Sequence, residues 1–244
     1  SKDGLVTLAI VPQEIEIARS WDDVVIEFNS ARDLDAQISI HANQSLTGHR
    51  WEDVRKLYKA DLLGPDILFV HATFSAEDEL KAIADAGASV SVAPETEMQM
   101  GMGFPITAKL IELGVAPSLG VDITSNGSGD MFAQMRLALQ VGRMLGDQPY
   151  YERETMPEDV SLTTRQALEW ATINGAKGAG LGDVTGSLTP GKQADVVLID
   201  GNHFNLIGWD KSDPVGTVVM QANAGNVGTV VVGGKVVKRD GAMV

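Results

Sequence analysis

Short runs of β-branched and aliphatic residues recur along the first half of the chain, and three of them stop at a side chain able to bind metal. ISI (38 to 40) is followed by His41, ILFV (67 to 70) by His71, and PSLGV (117 to 121) by Asp122. A continuous apolar run of this length reads as a strand buried on both faces, because helices cover both sides of a parallel sheet. From His41 to His71 is 30 residues, from His71 to Ala93 is 22, and from Ala93 to Asp122 is 29. Those are the lengths of strand–helix units, and parallel neighbours need a crossover of that kind. A polar residue ending such a strand points into the C-terminal mouth of a parallel α/β barrel, where the βα loops build sites. Each residue also has an ordinary reading: a hydrogen-bonded core histidine, or an Asp that forms a turn or caps a helix. The chain has only four His, and two of them hold this position.

The pattern between these points is strand, loop, helix. LVTLAIV (5 to 11) reads as a first strand and 22 to 33 as a helix leading into ISIHA. The polar loop NQSLTGHR precedes a helix near 51 to 62 with Val54, Leu57, Tyr58 and Leu62 on one face, ended by Gly64 and Pro65. After ILFVHA, Ser75 is placed to cap a helix that buries Leu80, Ile83 and Ala84 and stops at Gly87. ASVSVAP (88 to 94) is the next strand, and the Met- and Gly-rich loop EMQMGMGF leads to a helix with Pro105 in its first turn.

Beyond Asp122 the spacing predicts a helix over 130 to 145 and a second one opened by a Thr163–Gln166 capping box. GDQPYYERETMPEDV, between them, reads as a long surface loop. From about 183 the period becomes that of strands: ADVVLID, GTVVM and a hairpin turning on Gly233 and Gly234. The expected organisation is therefore α/β, with residues 1–182 forming part of a (β/α)8-type barrel and 183–244 a small β-domain. A complete barrel needs eight units and about 250 residues. Only five strands precede the change of pattern.

Charge removes several partners. With 33 acidic and 19 basic residues in 244 the formal charge is −14, which opposes binding to nucleic acid and to an anionic membrane surface. No stretch approaches the roughly 20 apolar residues of a membrane span, and SKDGLV has no basic segment followed by an apolar one. The absence of Cys excludes disulfides and thiolate ligands, which suits a reducing, cytoplasmic setting. GSGDM (127 to 131) reads as a loop and helix cap, since it lacks the Lys of a phosphate loop. His49 and His203 stand in polar surroundings and read as surface residues.

HANQ (41 to 44), FVHATFSAEDEL (69 to 80), SVAPETEMQMGMG (91 to 103), SLGVDITSNGSGDMF (118 to 132) and GSLTPGKQADVVLID (186 to 200) together resemble the amidohydrolase superfamily. The resemblance is to the branch with cytosine and guanine deaminases, S-adenosylhomocysteine deaminase and triazine hydrolases. It runs from near residue 5 to the C-terminus and covers what would be the C-terminal part of such an enzyme. It implies a divalent metal, zinc first and iron second, whose ligands include His41 on the fifth barrel strand, His71 on the sixth and Asp122 on the eighth. It also implies catalytic work for His71, which polarises the substrate, and for Asp122, which takes a proton from water that the metal has acidified. Hydrolysis of a carbon–nitrogen bond, other than a peptide bond, in a small molecule follows as the expected activity.

Two departures qualify that expectation. No His-x-His pair occurs, so the ligand set of the first strand is missing. Gln44 stands where deaminases of this branch carry a proton-moving Glu, and a neutral amide is neither acid nor base. Gln44 then orients a carbonyl group or a water. Glu95 is a candidate substitute carboxylate at the substrate, and Met98 and Met100 are candidates for an adaptable apolar pocket, against the alternatives of a solvated loop residue and ordinary core filling. The competing reading is a catalytically silent fragment or scaffold. Either one expects the open sheet edges to be covered, by other copies of the chain or by a missing N-terminal segment. A doubly wound α/β fold, with the strand ends at 41, 71 and 122 far apart, is the third possibility.

Overall fold

A computed structural model describes residues 4–15, 17–44 and 51–244. Strands and helices alternate through the first half: β1 (Ala9–Ile10), α1 (Trp21–Asp33), β2 (Gln37–Ala42), α2 (Asp53–Lys59), β3 (Ile67–His71), α3 (Glu77–Asp85) and β4 (Ser89–Val92). Two short helices, α4 (Pro94–Gln99) and α5 (Thr107–Glu112), lead to β5 (Pro117–Leu119). The helical segment that follows comprises α6 (Met131–Glu152), α7 (Thr164–Trp170) and α8 (Ile173–Gly178). The five strands form one sheet in the order β1-β2-β3-β4-β5 with every neighbouring pair parallel. A doubly wound sheet would reverse direction at a switch point. The sequential order is instead that of a barrel wall, five strands of a (β/α)8-type barrel.

The pleat separates two faces. Ile38, Ile40, Ala42, Ile67, Phe69, Val90 and Val92 are buried on the outer face, in one core with Val24, Phe28 and Ala31 of α1, Leu57 of α2 and Ile83 of α3. α1 starts where Ser20 Oγ accepts the Asp23 N–H at 3.2 Å. Its far end is fastened by Arg32, which donates to Asp66 at 2.8 Å and to the Leu62 carbonyl at 2.8 Å.

Gln37, Ser39 and His41 share the inner face with Leu68, Val70, Ser89 and Ser91, all of them partly exposed. α8 closes the lower end of that face. Gln37 Nε2 donates to the Gly178 carbonyl at 3.1 Å and Asn174 Nδ2 to the Pro117 carbonyl at 3.0 Å. A Cβ on Gly178 would stand 3.2 Å from Leu68 Cδ1, so the helix lies directly on the sheet. Among the described residues the upper, C-terminal end of the inner face is left open.

The second sheet is antiparallel, in the order β6 (Val196–Ile199), β7 (Val227–Val232), β8 (Lys235–Arg239), β9 (Ala242–Met243). Gly233 and Gly234, at φ +54° and +79°, make the primed turn between β7 and β8. The GKQAD segment serves this unit. The Lys192 ammonium donates to the carbonyls of Gly182 and Thr185, while Asp195 accepts the Thr185 hydroxyl at 2.6 Å and the Gly233 N–H at 2.7 Å.

Several expected elements differ. GTVVM, read as a strand, lies in helix α9 (Pro214–Gln221). Asp213 accepts the Gly216 N–H at 2.8 Å and Pro214 presets the first turn, so cap chemistry overrides a β-branched run. α9 packs on α6 and α7, where Arg136 of α6 donates to the carbonyls of Val219 and Ala222. α6 continues through Pro149 to Glu152, which takes half of the expected surface loop into a helix. The cap residue of α3 is Ala76, whose N–H donates to Glu79 at 3.0 Å, and Ser75 instead accepts the Asn43 amide at 2.9 Å. Tyr58 is exposed on α2, off its buried face. The EMQ of the Met-rich loop belongs to α4.

Candidate active site

The open end of the inner face gathers the three strand-end residues. His41 projects from β2 on the same face as Ser39, and its side chain is 38% exposed. Its Nδ1 lies 2.7 Å from Glu14 Oε1, on the segment joining β1 to α1. His71 reaches the same place by a different route. It pairs with Ala42, so strand alternation alone would send it to the outer face with Phe69. Its φ of +72° turns the Cα–Cβ bond about half a revolution from the extended direction. The His71 ring then stacks on that of His41, with centroids 5.5 Å apart and planes 7° from parallel. Left-handed backbone at a non-glycine residue costs on the order of 1–3 kcal/mol and collects at functional sites. Ala72 at +54° and Asp122 at +62° share this conformation.

Asp122 lies on the loop beyond β5, with Oδ2 4.0 Å from His71 Nε2. The Gly120 N–H donates to the Val92 carbonyl at 2.9 Å, which extends the ladder by one bond before the chain turns. Glu97 was not singled out in the sequence, yet it completes the buried floor. Its Oε1 lies 3.1 Å from His71 Nδ1 and accepts the Ala93 N–H at 2.9 Å, while its Oε2 is buried without a hydrogen-bond partner among the described residues. The signal in the sequence was its place in the first turn after a strand ending at the mouth, two residues from the Glu95 that drew attention instead.

Residues two apart on a helix do not share a side. Glu95 accordingly turns from the histidines: its Oε2 accepts from Ser128 N at 2.9 Å, Ser128 Oγ at 2.8 Å and Gln134 Nε2 at 2.6 Å. It fastens the loop after Asp122 to α4 and α6. Met98 is partly buried, Met100 exposed, and Met102 packed in the interior. Gln44 follows Asn43, which exchanges two hydrogen bonds with Asp53 (3.2 and 2.8 Å) and so fixes the chain just past β2. His49 lies outside the described residues, and His203 is exposed near Asp200. Asp130 of GSGDM caps α6, accepting the Phe132 N–H at 2.8 Å.

Imidazole nitrogen and carboxylate oxygen are the donor types that zinc or iron takes. The types fit, but the number falls short. Among the described residues no three His, Asp or Glu side chains form a group able to hold an ion. Ligands at about 2.0–2.2 Å around a tetrahedral zinc stand closer together than the 4.0 Å between His71 and Asp122. The described residues offer donor types suited to a divalent ion without a complete ligand set. No helix among the described residues is long and apolar enough to cross a membrane.

Residues 22–237 match the model of the amidohydrolase family. The chain is 34% identical over 184 residues to a 5-methylthioadenosine/S-adenosylhomocysteine deaminase of Teredinibacter turnerae, covering 72% of this chain and 39% of that protein. A 5'-deoxyadenosine deaminase of Methanothermobacter thermautotrophicus is 27% identical over 217 residues, covering 86% and 48% respectively. The chain thus spans about half the length, or less, of these curated relatives. An adenosine deaminase from Xanthomonas campestris with bound zinc superposes with TM-score 0.84 at 22% identity, over 99% of this chain and 54% of that one. Atrazine chlorohydrolase from Arthrobacter aurescens complexed with zinc superposes with TM-score 0.83 at 21% identity, over 99% and 52%. The extent of the family match and the identity to the Teredinibacter deaminase, with a fold shared across half of larger enzymes, place this chain in the amidohydrolase family.

Proposed function

We propose that the chain is the C-terminal part of a metal-dependent hydrolase acting on a carbon–nitrogen bond, other than a peptide bond, of a small molecule. The observation that carries this reading is the convergence of His41, His71 and Asp122 at one open strand mouth, with His71 held there by a left-handed backbone. The deaminases among its relatives support this class of bond. A divalent ion, zinc first and iron second, would be held by His41 and Asp122, with His71 as ligand or substrate contact, and would supply Lewis acidity. Its remaining donors come from outside these residues.

The residues present divide the remaining work. Asp122 takes the proton of the attacking water, and His71 stabilises negative charge that develops on the substrate. Gln44, an amide with both donor and acceptor, orients a polar substrate group and moves no proton. This reading assigns Met98 and Met100 to an apolar margin of the substrate pocket, and Glu95 serves the site by anchoring the loop after Asp122. Residues 1–182 form the barrel part and 183–244 the small β-domain, with α9 joining them in this reading. The two- and three-residue edge strands β1 and β5 are covered by a further segment or another copy. The setting is cytoplasmic, in keeping with a chain free of Cys.

Among the described residues the three side chains do not close into a group able to hold an ion, which favours a second reading, a silent scaffold. Ammonia or product release from a panel of amino-substituted nitrogen heterocycles, measured with zinc in excess, separates the two. The hydrolase reading expects slow turnover that Asp122→Asn reduces at least tenfold. Turnover indifferent to that change contradicts it, and none at all supports the scaffold.

A further inference from the structure

We propose that Glu97 is a positioning residue that holds His71 with its proton on Nδ1 and leaves Nε2, on the side of Asp122, without one. Glu97 Oε1 lies 2.9 Å from the Ala93 N–H, which can only donate, and 3.1 Å from His71 Nδ1. The oxygen that already accepts the Ala93 N–H faces the ring as an acceptor as well, so the hydrogen between Oε1 and the ring is assigned to Nδ1. Both side chains are shut off from solvent, at 2% and 0% exposure, so water cannot take over either contact. A buried N–H deprived of its acceptor loses its full desolvation energy. That penalty selects the Nδ1–H tautomer over the Nε2–H form that predominates in free histidine. The nitrogen left without a proton is Nε2, the one 4.0 Å from Asp122 Oδ2.

Packing does not account for Glu97. Its Oε2 is buried with no hydrogen-bond partner among the described residues, and an apolar side chain of similar size would avoid that cost. The carboxylate stands where it costs stability and where it meets the imidazole, the arrangement by which an outer group fixes ring orientation and tautomer. The tautomer assignment rests on geometry alone. Its consequence, a defined Nε2 for substrate or ligand, rests on the hydrolase reading.

The test is long-range proton–nitrogen correlation spectroscopy at pH 8 on the full chain with nitrogen-15 histidine, the His71 signals being assigned by their loss in His71→Gln. The wild type is expected to show a protonated Nδ1 and an unprotonated Nε2. Glu97→Gln should keep this pattern, because the Ala93 N–H still demands a carbonyl oxygen in the same place. Glu97→Leu should move the proton to Nε2, with preserved dispersion of the backbone amide signals reporting the fold. A proton on Nε2 in the wild type, or a pattern unchanged in Glu97→Leu, overturns the proposal. Where the Leu variant fails to fold, the wild-type and Gln spectra still decide. The measurement needs neither metal nor substrate, so a failed hydrolase assay leaves it standing, and a wrong tautomer leaves the assay standing.

Discussion

On the outer face of the five-stranded sheet Ile38, Ile40, Phe69 and Val90 lie wholly buried with the helices, whereas on the inner face Ser39, His41 and Val70 remain partly open. The same inner face is closed one level lower, where α8 seats Gly178 against Leu68 and Ser89. A face that is sealed below and open above separates two jobs. The outer face and the lower inner face hold the fold together. The upper inner face carries histidines, a carboxylate and three left-handed residues, features that cost stability and serve chemistry.

The largest effect should come from the sealed side. Phe69→Ala is expected to cost about 3–5 kcal/mol in urea denaturation, the range for emptying an aromatic site in a core. Ser39→Ala, on the next strand but facing inward, is expected to stay within about 0.5 kcal/mol. Equal losses would mean that the two faces are not different in kind. Gln37→Ala tests the plug at the lower end: loss of the bond to the Gly178 carbonyl should cost about 1 kcal/mol, and no loss would mean that α8 is held by packing alone.

Asp122→Gly should run in the opposite direction. The residue is exposed at φ +62°, and relief of a left-handed conformation is expected to raise stability by about 0.5–1 kcal/mol while zinc affinity falls. A variant that loses both would show Asp122 to be a structural turn residue.

The smallest effect lies in the second sheet. The Thr185 hydroxyl and the Gly233 N–H hold the Asp195 carboxyl below its ordinary value. A carboxyl depressed in the folded state binds fewer protons there than when unfolded, so its contribution is complete above the unfolded value of about 3.9 and fades as pH falls through the folded one. Between pH 5 and 3 the acid-induced destabilisation should be slightly smaller in Asp195→Asn than in the wild type. A larger acid sensitivity in the variant would reverse the sign of this account.

What was legible in the sequence follows the same division. Large apolar residues recur at every second position along the buried outer face, which is why β2, β3 and β4 could be read from ISI, ILFV and SVSV. The hairpin at Gly233 and Gly234 was legible because a primed turn requires positive φ at both positions. The GTVVM segment misled because its composition favours a strand, while Asp213 and Pro214 just before it decide for a helix. His71 could be placed at the mouth from its family position, but the backbone inversion that brings it there leaves no mark in residue type. Glu97 was hidden by Glu95, two positions away, because choosing between them needs the rotation of α4.

Zinc titration calorimetry on the intact chain tests the central claim most directly. The account predicts weak binding of a single zinc ion that His41→Ala and Asp122→Ala each weaken at least tenfold, with Ser39→Ala leaving it unchanged. Binding that survives both substitutions, or no binding at millimolar zinc, would contradict the assignment of the open end of the inner face as part of a metal centre.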